Sequence, residues 1–586
     1  MRHYITTLLT PLVFGFATIA VPQQMKAQSL GLETISQIAK SDPLIITGAV
    51  GTRNTYYYSS VGSGYRSPLS NTIFANLNVN LYGINMPFSI YYSNDNTSFS
   101  YPHFTFNLNP HYKNWTGHLG RSSMAFSNYL LNMSFNGIGV EYDDHKRFRA
   151  GVFWGILRNA VNDNPDDPAA RAPQYRRSGW GFKVGYGSKL NYIDLYLLRA
   201  YDSPKSIDEG WRHRILPQEN LAVALKGSVS PVKFLSLSGN LAMSAFTADR
   251  QGELIGTPET EKFDKIFDTR YTSLARFAGD LNLNLMFPSF TASLVYRMVQ
   301  PDYTSLGTYY MTNNYQSFGL TLGGMLLKKV SLAASFAEQE DNLSRNQLYT
   351  TRGYVYSANA SSRIIPNLNI VAGFNGYLQN QGDGTAKVND TTRVNRVSNS
   401  FYITPSYMIE SDLLDHTISL TGSFTENVNL NKLQPKESNV QTFAVGANYG
   451  LDLKAWELNT ALSFSHQQSR GYKTKYTTDI LSLTADHSFL SEKNLTASAT
   501  ISLVHNNIVN RTKNFSLGGD VSLSYLLKKV HAFSFSAGFN KYSDVNLSDD
   551  YTSMNTTEVN ISLNYVYTFT LLEIKRKTAT APAPSM

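Results

Sequence analysis

The chain predicts an all-β protein: a single large antiparallel transmembrane β-barrel of about 26 strands (range 22–26), with short periplasmic turns and long extracellular loops. Three observations predict it. Apolar and polar residues alternate with a period of two over segments of about ten residues, the length with which a tilted strand crosses a bilayer. Tight turns and longer polar connections succeed one another along the chain. The N-terminus reads as a secretory signal.

The composition permits this class and narrows the others. Among 586 residues there are 37 Tyr and 32 Phe but only 16% charged residues, and the mean hydropathy is -0.25, too polar for a bundle of membrane helices. There is no Cys, which removes disulfides, thiolate metal sites, Cys nucleophiles and a lipid-modified N-terminal Cys. The formal charge is +8, yet Lys and Arg are scattered rather than gathered in a run, so no nucleic-acid partner is expected.

In chain order, Arg2 and His3 precede an apolar stretch over 8–21, and Ala27 offers a small residue for cleavage, so 1–27 is read as a signal peptide. Pro11 interrupts that stretch, which falls short of the roughly 20 residues a spanning helix needs. Residues 28–43 are expected to form a periplasmic segment, 44–570 the barrel, and 571–586 a disordered periplasmic tail.

The alternation is plain in several strands. Ala75, Leu77, Val79 and Leu81 alternate with Asn76, Asn78 and Asn80, and Leu281, Leu283, Leu285 and Phe287 with Asp280, Asn282, Asn284 and Met286. Residues 515–527 carry Phe515, Leu517, Val521, Leu523 and Tyr525 on one face and Ser516, Asp520, Ser522 and Ser524 on the other. Such segments suit a wall with lipid on one side and a polar lumen on the other. Short connections are expected around 143–144, 188–189, 230–231, 288–289, 328–329, 366–367, 413–415, 451–452, 491–493 and 528–529, with long polar connections between them, as at 159–176, 247–272 and 380–399. The pattern is irregular between 101 and 131, where 124–131 is read either as a loop reaching outside or as an inward constriction. The repeated Leu-Leu-Lys-Lys-Val at 326–330 and 526–530 is read as two similar turns rather than a duplication. The last strand places Val559, Ile561, Leu563, Tyr565, Tyr567 and Phe569 on one face and so resembles the aromatic-ended terminal strand of outer-membrane barrels, a resemblance that implies recognition by their insertion machinery.

Pro87-Phe88-Ser89 with Tyr92-Ser93-Asn94, then Gly117-His118-Leu119-Gly120-Arg121-Ser122-Ser123-Met124, then Phe135-Asn136-Gly137-Ile138-Gly139-Val140-Glu141 resemble segments of uncharacterised outer-membrane β-barrel proteins of Bacteroidota. The resemblance covers residues 87–158 and implies the compartment and the fold, with no site residue to carry across.

Candidate chemistry is sparse. Asp143-Asp144-His145 is read as a solvated periplasmic turn, on the wrong side for barrel enzymes that work at the outer leaflet. His103, His111 and His118 have spacings that match no compact metal motif, and no phosphate loop or nucleophile elbow stands out. No catalytic residue, metal or cofactor is assigned, and the protein is not expected to be an enzyme.

The pleat supplies one charged group. If Ile138, Val140, Phe148, Val152, Trp154, Trp180, Phe182, Val184, Ile193 and Leu195 face lipid, then Glu141, Arg147, Arg149, Lys183 and Asp194 face inward on consecutive strands. A charge on the lipid face at mid-membrane would cost roughly 2–4 kcal/mol, so inward placement is favoured. Either these residues form a salt-bridge network that stiffens the wall or docks an inward loop, or they select solutes or grip a plug. The expected function is a channel or transport/export barrel with a polar lumen. The alternative is a non-enzymatic subunit of a secretion or assembly complex, or a surface scaffold. Expected partners are outer-membrane lipid, the insertion machinery, and other outer-membrane or periplasmic proteins that fill or gate the lumen.

Overall fold

The computed structural model describes residues 44–574 except 63–66, 95–103, 164–171, 256–266, 392, 434–438, 472–473, 491, 493, 510–511 and 547–554. The expected signal peptide, the 28–43 segment and all but the start of the tail lie outside the described residues. The strands are β1 (Leu44–Ser59), β2 (Leu69–Leu81), β3 (Ile84–Ser93), β4 (Phe104–Leu108), β5 (His111–Tyr112), β6 (Trp115–Ser122), β7 (Phe135–Asp143), β8 (Phe148–Arg158) and β9 (Arg177–Gly187). They continue as β10 (Tyr192–Asp202), β11 (Glu219–Val232), β12 (Leu235–Thr247), β13 (Ser273–Phe287), β14 (Phe290–Val299), β15 (Tyr315–Leu326), β16 (Val330–Asp341), β17 (Tyr349–Ser362) and β18 (Leu368–Asp383). The last are β19 (Asn395–Glu410), β20 (Leu414–Asn429), β21 (Val440–Leu453), β22 (Leu458–Gly471), β23 (Thr474–Phe489), β24 (Leu495–Ile508), β25 (Thr512–Leu527), β26 (His531–Asn546) and β27 (Thr556–Ile574).

Apart from β4 and β5, each strand pairs antiparallel with the next, and β27 returns to β1 in a register running from Leu44↔Ile574 to Ser59↔Glu558, which closes the wall. The short β4 and β5 share one position between β3 and β6, so 27 strand elements make a barrel of 26 strands. Pro110 separates the two pieces because it has no N–H for the ladder, which explains the irregular sequence pattern there. β27 runs to Ile574, four residues past the barrel end expected at 570.

Two faces follow from the alternation. Ile138 and Trp154 are each 55% exposed, whereas Phe153 beside Trp154 is 1% exposed. Leu281, Phe464, Leu483, Val521 and Leu563 stand out from the same outer surface. An apolar belt around a closed hydrogen-bonded cylinder is the solution a bilayer imposes, because every backbone group in the hydrocarbon must find its partner within the protein. With a strand spacing of about 4.8 Å and a tilt of about 40°, a circular barrel of this strand number would be roughly 50 Å across between backbones.

Both ends of the wall, Leu44 and Ile574, lie on the rim that carries the tight turns. Several turns shift from their expected positions. Pro231 sits in a bulge where the β11–β12 register slips between Val229 and Val232, so the strand runs on and the turn falls at Lys233 and Phe234. β21 continues through Leu451 and Asp452 to Leu453 and ends in a 3-10 turn at Lys454–Trp456, with Glu457 left-handed at φ 51°. β20 begins at Leu414, so Asp415 is a strand residue rather than a turn residue, and its carboxylate accepts from Lys454 Nζ at 2.7 Å across to that next turn. The repeated Leu-Leu-Lys-Lys-Val segments do both form turns, with positive φ at Leu327 and Lys328 in one and at Lys528 and Lys529 in the other. On the opposite rim the connections are not uniformly long. β22 and β23 are separated by residues 472–473 alone, and β24 and β25 by 509–511.

Two of the long-rim connections turn into the barrel. Residues 123–134, after β6, carry Met124, Phe126, Tyr129, Leu130, Leu131 and Met133, all buried. Residues 300–314, after β14, add buried Tyr303 and Leu306. They pack on the inner faces of β8 and β10–β13, which are furnished there with Phe153, Leu198, Ala200, Ala222, Ala224, Ala242 and Ala278. Small wall residues make room for large loop residues. At Gly307 a Cβ would collide with the Leu130 carbonyl oxygen, and at Gly181 with Phe153 and Phe126, so both positions need glycine for the close approach. The inward reading of 124–131 is the one the structure adopts; the partner loop at 300–314 had no signal of its own beyond length.

Candidate functional site

The inner wall beneath these loops holds four of the five charged residues expected there. Glu141 on β7 lies between Lys183 of β9, with which it forms an ion pair, and His118 of β6, whose Nε2 is 2.7 Å from Glu141 Oε2. Arg149 on β8 pairs with Asp194 on β10 at 2.6 Å, and Tyr196 donates its hydroxyl to the other Asp194 oxygen at 3.2 Å. Two acids and two bases thereby cancel. This is the chemistry of a brace, since each of these four charges is matched at hydrogen-bond distance.

The brace also holds a loop. Lys183 Nζ donates to the backbone oxygen of Ala125 at 3.2 Å, so the network that links β6, β7 and β9 reaches directly into the inward segment. The cluster therefore has contacts both across the wall and to an inward loop.

Arg147 is the exception and corrects the inward assignment. It lies in the turn between β7 and β8, and its guanidinium reaches the Tyr186 hydroxyl at 3.4 Å; Tyr186 shares the outward parity of Phe182 on β9. The pleat rule fails there because Arg147 precedes the first strand residue, Phe148, and follows turn geometry. That turn is organised by Asp144, whose Oδ1 accepts from the N–H groups of Lys146, Arg147 and Phe148 at 2.8, 2.7 and 2.9 Å. These backbone donors, Lys146 first, hold its carboxyl below the usual aspartate range. Asp143 Oδ1 likewise accepts from the His145 N–H at 2.7 Å, so the Asp-Asp-His run is occupied in shaping a turn.

The loops are joined to each other and to the wall. Ser305 Oγ donates to Leu130 O at 2.6 Å, the Tyr303 hydroxyl to Tyr129 O at 3.1 Å, and the Asn132 N–H to Gly307 O at 3.1 Å, with Leu131 and Gly307 forming a parallel bridge. Tyr129 donates its hydroxyl to Asp280 on β13 at 2.9 Å, and Ser127 its hydroxyl to Asn240 on β12 at 3.0 Å. Asn220 on β11 accepts from the Leu306 N–H at 3.3 Å and donates to Ser244 on β12 at 2.6 Å.

A second charged group, at the long-loop rim, escaped the sequence reading. Arg177 grips Asp202 with two bonds of 2.8 and 3.1 Å, with Arg158 at 3.6 Å, while Glu219 takes Arg199 at 2.6 Å and Arg250 at 2.9 Å. Asp202 and Glu219 are each 1% exposed. These residues flank long connections, where alternation ends and no periodicity reports which partners meet. His111 Nδ1 is 2.9 Å from the Thr116 hydroxyl, and His103 lies outside the described residues. Among the described residues no three His, Cys, Asp or Glu side chains are placed to hold a metal ion.

No protein-family description matches the chain, and no curated protein matches it in sequence. Solved structures do. OccAB3 of Acinetobacter baumannii is 12% identical with a TM-score of 0.31, covering 67% of this chain and 99% of that one. The P pilus usher (PapC) translocation pore is 10% identical with a TM-score of 0.33, covering 90% and 99%. A mutant of the ferric enterobactin receptor PfeA of Pseudomonas aeruginosa is 10% identical with a TM-score of 0.40, covering 90% and 81%. At these identities no residue, substrate or partner transfers to this chain, and the closed barrel is established by its own strand pairing.

Proposed function

We propose that the protein is an outer-membrane channel or transport barrel with a polar lumen, narrowed on one side by its own two inward loops. The observation that carries this reading is the inner surface of the wall. Asn, Ser, Thr and Gly recur along its lumen-facing rows, the charges of Glu141, Lys183, Arg149 and Asp194 are neutralised in pairs, and the loops pack on β8 and β10–β13 while the rest of a roughly 50 Å ring is free of them among the described residues. A hydroxyl- and amide-rich passage suits neutral hydrophilic solutes or an extended polypeptide better than it suits selected ions. In this reading the rim with the tight turns, which carries Leu44 and Ile574, faces the periplasm. Membership in the Bacteroidota barrel group, suggested by residues 87–158, belongs to the same proposal, as do contacts with membrane lipid and the insertion machinery. The protein acts without catalysis.

The test is conductance. Purified protein in planar bilayers is expected to give discrete steps with little cation or anion preference, and replacing 300–314 by a short Gly-Ser turn is expected to enlarge them. A correctly folded barrel that never conducts, in parent and shortened form alike, would overturn the channel. The width left uncovered favours the second reading, a barrel subunit whose lumen another protein fills. Stoichiometric co-purification of an outer-membrane or periplasmic protein in mild detergent would then be the decisive result.

A further inference from the structure

Between β4, β6 and the two inward loops lies a chamber of about 520 Å3, within the size range of small-molecule sites. Asn107 and Asn109 supply one side, His118, Arg121 and Ser122 another, and Ser123, Ser134 and Tyr309 come from the loops or their junctions. All eight carry hydrogen-bonding side chains. Because three of them belong to or border the inward loops, the chamber exists only when those loops are docked.

We propose that this chamber is a binding site for a neutral saccharide of one or two hexose units, in the path of the channel proposed above and resting on that reading for its biological role. Four features support this class of ligand. First, the amides are oriented. Ser89 donates to Asn107 Oδ1 at 2.9 Å and Ser122 to Asn109 Oδ1 at 3.2 Å, which turns both NH2 groups into available donors. Second, hydroxyls of Ser123, Ser134 and Tyr309 give and accept hydrogen bonds, as vicinal sugar hydroxyls require. Third, Tyr309 is 63% exposed and is anchored by its backbone N–H to Asn132 Oδ1 at 3.2 Å, which offers an aromatic plane for the C–H face of a pyranose. Fourth, one wall of the chamber is held in place, since His118 is tied to Glu141 and Glu141 to Lys183. An apolar solute would leave these hydrogen-bonding side chains without partners.

The test is calorimetric titration of the full mature chain in a non-glycosidic detergent with glucose, maltose and lactose, and with glucuronate as the charged counterpart. Saturable binding of at least one neutral sugar is expected, weakened at least about tenfold in Tyr309→Ala and in the Asn107→Leu/Asn109→Leu double variant. Heat-modifiable gel mobility identifies folded barrels, and Tyr309, exposed on a loop, can be removed without disturbing the wall. The absence of saturable binding to all three sugars overturns the proposal, as does binding that survives both variants. Glucuronate binding tighter than glucose overturns the neutral class. Conductance on the same preparation separates the two readings: binding without conduction removes the channel alone, and conduction without binding removes this site alone.

Discussion

Leu130→Ala tests whether the inward loops form one cooperative plug. Leu130 is 0% exposed, lies within the cluster that joins 123–134 to the inner wall, and its backbone oxygen receives Ser305 Oγ at 2.6 Å from the other loop. Truncating a fully buried Leu costs roughly 2–5 kcal/mol, the spread depending on how far the site collapses. The wall keeps its own hydrogen-bond ladder, so the cost falls on loop docking rather than on the barrel. At about 1.4 kcal/mol per factor of ten, the undocked population should rise by roughly 30- to 4,000-fold. Amide exchange resolved over 123–134 and 300–314 measures it, with β13 and β14 as internal references. Both loops should lose protection together, and single-channel records should acquire brief wide openings. Loss confined to 123–134 would refute the cooperative plug, and unchanged protection in both would refute the packing argument altogether.

Other outcomes follow from the same geometry. Arg149→Gln should loosen the wall by leaving Asp194 unpaired, whereas Arg149→Gln with Asp194→Asn should recover much of the loss, as a double-mutant cycle in denaturant would measure; because the pair is neutral, permeability ratios should stay unchanged in the double variant. Leu281→Arg on the lipid face should cost roughly 2–4 kcal/mol in refolding into vesicles if it lies at the bilayer midplane, while Asn282→Ser on the lumen face should cost far less. Asp144→Ala should speed amide exchange at Lys146, Arg147 and Phe148. Since the folded carboxyl titrates below its ordinary value, its contribution is present above the unfolded pKa and is lost as the pH falls through the folded one, so parent and variant should converge in strong acid.

Particular residues show where sequence reading succeeds and where it stops. A period of two assigns Leu281, Ile138 and Trp154 to lipid, and they stand on the outer face because the pleat permits no other choice once the register is set. Glu141, Arg149, Lys183 and Asp194 were likewise placed inward, but their partition into Glu141 with Lys183 and His118, and Arg149 with Asp194, depends on which rotamers meet across strands. Arg147 was misplaced because a turn residue obeys Asp144 and not the strand period. Pro231 has the sequence character of a turn residue, yet a bulge absorbs it without ending the strand.

Alternation and turn chemistry are local, and by themselves they predict a closed antiparallel barrel of about 26 strands and the faces of its regular strands. The tertiary structure alone decided that 300–314 meets 123–134 inside the barrel, that small wall residues such as Ala222, Ala242 and Ala278 lie beneath large loop residues, and that Asp202 and Glu219 each collect two arginines at the rim. Those contacts join residues as far apart as Leu130 and Ser305, 175 positions in the chain. Their pairing is set by volume and hydrogen-bond geometry in the folded lumen, which no local periodicity encodes.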